Sequence, residues 1–199
     1  RDISCASNLK QIGTGLRLYL DNNNECMPKS TGNLAPNQGK WDDIIFSTLF
    51  PNLTPADNMI FPATTWAIPM KPRAPFDCPS SDASAPQTLR NDYGLNSAMV
   101  GVSAKRIARP SARGTVMDMV KYAASFPLPV LTGTTVADFD GLFATELEVR
   151  RHNSRRGINV LYFDGHVEGK AHSAIPRSQG TSAEQYFWSG GDNGKNGGL

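Results

Sequence analysis

The chain has 199 residues, of which 20 are Lys or Arg and 18 are Asp or Glu, for a formal charge of +2. That near-neutral balance gives no electrostatic footprint for nucleic acid or an anionic membrane, and no run approaches the ~18 apolar residues of a membrane span. Its 18 glycines and 14 prolines stand above the usual background of about 12% and argue for many turns and long connections rather than a helical bundle.

From Ser4 to Asn22, the residues Leu9, Ile12, Leu16 and Tyr19 follow steps of three and four. This predicts a helix with one stripe against a core. Gly13 and Gly15 each cost such a helix about 1 kcal/mol relative to Ala. The helix therefore draws its stability from packing or continues a longer helix upstream. Asp21-Asn22-Asn23-Asn24-Glu25 ends it in turn-forming residues, which explains that cluster more economically than a calcium loop. Residues 27–40 read as loop. Trp41 to Leu53 reads as a short amphipathic helix curtailed by Pro51, since proline breaks the hydrogen-bond ladder.

The prolines between residues 54 and 75 suit extended connections, as does Phe76-Asp77-Cys78-Pro79-Ser80. Asp92 to Asn96 reads as a turn before Ala98-Met99-Val100, and Gly114 to Val120 as a strand. Thr134 to Leu142 is ambiguous, and Glu146 to Arg150 alternates as a half-buried strand would. The clearest local signal runs from Ile158 to Glu168. Ile158, Val160 and Tyr162 share one strand face, Leu161 and Phe163 the other, and Asp164-Gly165 reads as a two-residue hairpin turn. Phe187-Trp188 is a candidate late anchor, and the Gly/Asn-rich stretch 189–199 is expected to be a flexible tail. The predicted class is α+β. A single domain over 1–188 comprises a helix at 4–24, irregular segments at 27–110 and an antiparallel sheet region at 114–170.

Cys5, Cys26 and Cys78 allow at most one internal bridge. They are three unrelated cysteines, or Cys26 and Cys78 pair in an oxidising compartment and tie the helix end to a later loop. No CxxC occurs and the three histidines lie far from the cysteines in sequence, which lends little support to structural zinc. Nucleotide-loop, zincin, nucleophile-elbow and EF-hand motifs are absent from the sequence. The densest polar constellation is Arg150-Arg151-His152 with Asp164-Gly165-His166-Val167-Glu168. Asp164 and Gly165 have complete structural roles in a turn, so the group reads as architectural rather than catalytic or metal-binding. Arg150, Arg151, Arg155 and Arg156 read as a solvated loop cluster.

In this order the pieces resemble a family. Cys5-Ala6-Ser7-Asn8-Leu9-Lys10-Gln11-Ile12-Gly13, then Tyr19 and Asp21-Asn22, is similar to the stretch following the membrane part of prepilin-like proteins. Cys78-Pro79, Asp92 through Asn96, Arg106-Ile107, Pro110-Ser111, Asp118, and His152 leading to Asp164-Gly165-His166 extend the match. The specific resemblance is to bacterial type II secretion pseudopilin-like proteins with a prepilin-type processing-associated C-terminal domain, whose signature is His-x9-Asp-Gly. Here eleven residues separate His152 from Asp164, which loosens their coupling.

The resemblance implies a pilin-like fold, a long helix laid on an antiparallel sheet. It also implies a basic leader, a cleavage site and an apolar helix upstream of Arg1, anchoring an extracytoplasmic domain in the inner membrane. Other pilin-like subunits or secretion machinery would be the partners, with no enzymatic activity, cofactor, metal or nucleic acid. Trp41, Trp66 and Trp188 offer an alternative role as sugar-stacking platforms of an anchored binding module.

Overall fold

The computed structural model describes residues 2–28, 41–52, 74–76, 78–80, 93–96, 99–118, 152, 157–176 and 186–188. Thr134 to Leu142, the strand expected at Glu146–Arg150, the arginine cluster, Trp66 and the 189–199 tail lie outside the described residues.

Helix α1 runs without a break from Asp2–Asn22. Leu9, Ile12 and Leu16 are buried as the spacing predicts, while Tyr19 is only partly so. Cys5 and Leu20 extend the buried stripe in both directions. The helix stops when Asn24 and Glu25 enter the left-handed region at φ of 54° and 57°. Glu25 N–H then donates back to the Leu20 carbonyl at 2.9 Å, a Schellman-type stop with asparagine in the usual glycine place. Asn22 and Asn23 amides cap carbonyls one turn back, and Asp21 pairs with Arg17 at 3.2 Å. The acidic-amide cluster is thus occupied with ending the helix.

The expected second helix is α2, Trp41–Leu49. It packs on α1, and Gly15 makes that approach possible: a β-carbon there would lie 2.6 Å from Ile45 Cγ2.

Four antiparallel strands form one sheet in the order β1 (Tyr93–Leu95), β2 (Gly114–Asp118), β3 (Gly157–Tyr162) and β4 (Val167–Ala171). The segment read as a turn at Asp92–Asn96 therefore contributes a strand. Tyr93 and Leu95 pair opposite Asp118 and Val116, and ladder bonds with burial on one face override the local turn preference.

The β3–β4 connection also differs from the expected two-residue turn. Gly165 N–H donates to the Tyr162 carbonyl and Tyr162 N–H to the His166 carbonyl, both at 2.9 Å. Gly165 alone in the loop has positive φ, +93°. A two-residue hairpin turn on Asp164-Gly165, of type I′ or II′, would need positive φ at its first central residue; Asp164 does not adopt it, so Phe163, Asp164 and Gly165 form a three-residue loop closed by a glycine bulge.

Strand β3 is buried along its whole length. On one face Leu161 and Val116 join Tyr93, Leu95 and the stripe of α1 in a single apolar core. On the other, Tyr162 meets Phe187 edge-on at 6.0 Å, and Phe187 meets Trp188 in the same way at 4.7 Å. The anchor role expected for Phe187-Trp188 is seen in the fold.

Candidate functional site

Strand alternation places Asp118 on the same face as Val116, turned toward α1. Just before β3, His152 exchanges two backbone hydrogen bonds with Gly157, each 3.1 Å. Gly157 is required here because a β-carbon would collide with the Lys170 carbonyl oxygen of β4. This pairing fixes the His152 backbone beside the sheet. Its Nε2 lies 3.2 Å from Asp118 Oδ2 and 3.4 Å from Cys78 Sγ. The Asn159 backbone N–H donates to the same Asp118 oxygen.

Cys78 in turn is disulfide-bonded to Cys5 in the first turns of α1. Cys5 O accepts from the Tyr93 hydroxyl, and Asn8 Nδ2 donates to that hydroxyl, each at 3.4 Å. Cys5, Cys78, His152 and Asp118 are all buried, His152 being 2% exposed and Asp118 0%.

The pairing corrects the Cys26–Cys78 alternative. Cys26 is a free thiol at the end of α1, paired by backbone with Ser103. Cys5 lies one helical turn before Leu9 on the buried stripe, which turns its sulfur inward. Counting Cys5 into the 9-12-16 stripe is the signal that finds it. The separation of histidines from cysteines in sequence is likewise no guide to space: β-pairing brings His152 against Cys78.

The buried group has the residue types of a Cys-His-Asp relay but not its connectivity. A relay needs one imidazole nitrogen toward the acid and the other toward the nucleophile. Here the carboxylate and the sulfur approach the same Nε2, and the sulfur is held in a disulfide. The arrangement is a buried polar clasp joining α1, β2, the start of β3 and the Cys78 segment. Removing either partner of such a buried pair leaves an unsatisfied polar group, at a cost of about 1–3 kcal/mol.

His152 does not meet Asp164 or His166. Those two form a separate, exposed pair at the hairpin tip. Asp164 Oδ1 accepts from the His166 backbone N–H at 3.1 Å and lies 2.6 Å from its ring Nδ1. The imidazole stacks on Tyr162, with centroids 4.2 Å apart. Tyr162 donates its hydroxyl to Glu168 at 2.9 Å. Burial, then that hydrogen bond and the carboxylate charges, hold its phenol well above the usual tyrosine range. The contacts of Asp164 and His166 with each other lie within the turn.

Of the other predicted motif residues, Asn96 is buried and its amide donates to the Gly114 and Trp188 carbonyls, each at 2.8 Å. This stitches the end of β1 to the start of β2 and to the late anchor. Pro79 sits in an exposed turn beside Cys78. Arg113 was not foreseen. It is 3% exposed, and its Nη1 reaches the Trp188 carbonyl at 3.5 Å and Met99 Sδ at 3.7 Å. Burial lowers its pKa to about 10.

Comparison of the chain with protein families, with curated proteins and with solved structures yields no match.

Proposed function

We propose that this chain is the extracytoplasmic domain of a pseudopilin-like assembly subunit, without enzymatic activity, related to type II secretion or type IV pilus systems. The observation that carries the reading is the lie of α1. A 21-residue helix rests one apolar stripe on a four-stranded antiparallel sheet, which supports a pilin-like reading. Its opposite side stays accessible, with Ile3 86% exposed, as suits a helix shared with neighbouring subunits. The Cys5–Cys78 disulfide is in keeping with an oxidising compartment. No helix among the described residues is long and apolar enough to cross a membrane, so inner-membrane anchoring in this proposal rests on an upstream segment.

The carbohydrate-module alternative loses support, because Trp41 and Trp188 are buried in the protein rather than displayed. The test is fractionation of cells producing the natural gene product, with thiols alkylated before lysis. Recovery in the inner-membrane fraction, protease access from the extracytoplasmic side and an intact Cys5–Cys78 bond are expected. Recovery in the cytoplasm with Cys5 and Cys78 alkylated would overturn the proposal.

A further inference from the structure

The polar clasp has a donor set beyond what a disulfide staple needs. Cys5 Sγ, Cys78 Sγ and a His152 ring nitrogen lie within 4.8 Å of one another. Asp118 Oδ2 is 3.2 Å from His152 Nε2. Asp118 Oδ1, wholly buried, accepts no hydrogen bond among the described residues. Tetrahedral zinc, with bonds of about 2.3 Å to sulfur and about 2.0–2.2 Å to nitrogen or oxygen, holds neighbouring ligand atoms roughly 3.3–3.8 Å apart. The spacings of 3.4 Å from Cys78 Sγ to His152 Nε2 and 3.2 Å from His152 Nε2 to Asp118 Oδ2 are close to that requirement. To close a four-ligand site the two sulfurs must separate, and Asp118, which lies outside the group of three donors within 4.8 Å of one another, must draw in toward them.

We infer that Cys5, Cys78, His152 and Asp118 form a redox-switched zinc site, closed to metal as the disulfide and open to it as the dithiol. A dithiol reductant breaks the Cys5–Cys78 bond, gives up two electrons and two protons, and leaves as its own disulfide. Zn2+ then displaces both cysteine protons to solvent and takes two thiolates, the neutral imidazole and the carboxylate. Reoxidation by a disulfide runs the other way. The oxidant takes two electrons from the sulfurs and two protons from solvent, the Cys5–Cys78 bond re-forms and the ion is expelled.

The Asn159 N–H bond to Asp118 and the backbone pairing of His152 with Gly157 support the first ligands, a role that outer partners play in metal sites. The two forms exclude each other because both use the same sulfurs. The inference goes beyond the assembly role proposed above and does not depend on it.

The test uses the full chain, reduced with a phosphine that offers no competing thiolate, then dialysed against zinc and assayed for metal. The expected result is one zinc per reduced chain and none per oxidised chain, with Cys26→Ser unchanged. Cobalt in place of zinc should give thiolate-to-metal charge-transfer absorption and a four-coordinate visible spectrum. His152→Gln and Asp118→Asn should each weaken zinc binding by about tenfold or more, the scale on which even outer partners act. Absence of zinc from the reduced chain, whether folded or not, would overturn the inference. So would uptake that survives in Cys5→Ser/Cys78→Ser, or a cobalt spectrum lacking the thiolate band. The wild-type cobalt spectrum decides the matter even where a ligand variant fails to fold.

Discussion

At the hairpin tip, Gly165 has a φ of +93°, and a β-carbon built on it meets nothing within 4 Å. Any cost of substitution there is conformational rather than steric crowding by neighbours. Gly165→Val should lose on the order of 1–3 kcal/mol in urea unfolding, because a β-branched residue is poorly suited to positive φ. Gly165→Asn should lose less, since asparagine visits that region more readily. Equal losses in the two variants would contradict a backbone origin.

The neighbouring Tyr162 supplies a pH signature. Burial and the Glu168 hydrogen bond raise its pKa in the fold, so the folded state retains a proton that the unfolded chain gives up near the ordinary value of about 10. The stabilisation is fully present below that value and is lost as pH rises above it. The advantage of wild type over Tyr162→Phe in unfolding free energy should therefore shrink between about pH 8 and about pH 11. Arg113 contributes an opposite slope, because its lowered pKa of about 10 means the fold holds fewer protons there. That slope is common to both proteins and cancels in the difference. A pH-independent difference would refute the assignment.

Among elements, the two glycines of α1 look alike in sequence and differ in packing. Replacing either by alanine gains about 1 kcal/mol of helix propensity. At Gly15 the new methyl would sit 2.6 Å from Ile45 Cγ2 and 2.9 Å from Leu49 Cγ, atoms close to the α2 backbone that cannot swing away. Overpacking of this kind costs about 1–3 kcal/mol. At Gly13 the nearest atom is Leu161 Cδ1 at 3.0 Å, the end of a flexible side chain. Gly15→Ala should lower the melting temperature, and Gly13→Ala should leave it nearly unchanged or raise it. The reverse order in thermal melts would show that α2 does not lie against Gly15.

For the molecule as a whole, the Cys5–Cys78 bond closes a loop across 73 residues of sequence separation. The loop-entropy relation assigns such a crosslink about 4 kcal/mol. Cys5→Ser/Cys78→Ser should therefore lose about 2–4 kcal/mol in denaturant titrations with chelator present, whereas Cys26→Ser should change little. An equal loss in Cys26→Ser would place the stabilising sulfur elsewhere.

Local periodicity alone determined the α+β class, the buried 9-12-16 stripe of α1, the short α2 and the β3–β4 hairpin, because each depends on residues within a turn or two. Tyr93–Leu95 escaped that logic. Three residues around a glycine become a strand only when β2 is present to receive their hydrogen bonds. The same holds for the clasp. That Cys78 meets Cys5 rather than Cys26, and that His152 meets Asp118 rather than Asp164, follows from which strands lie side by side and which helix face covers them. Non-local pairing decides which distant polar groups share a buried space, and no spacing along the chain encodes it.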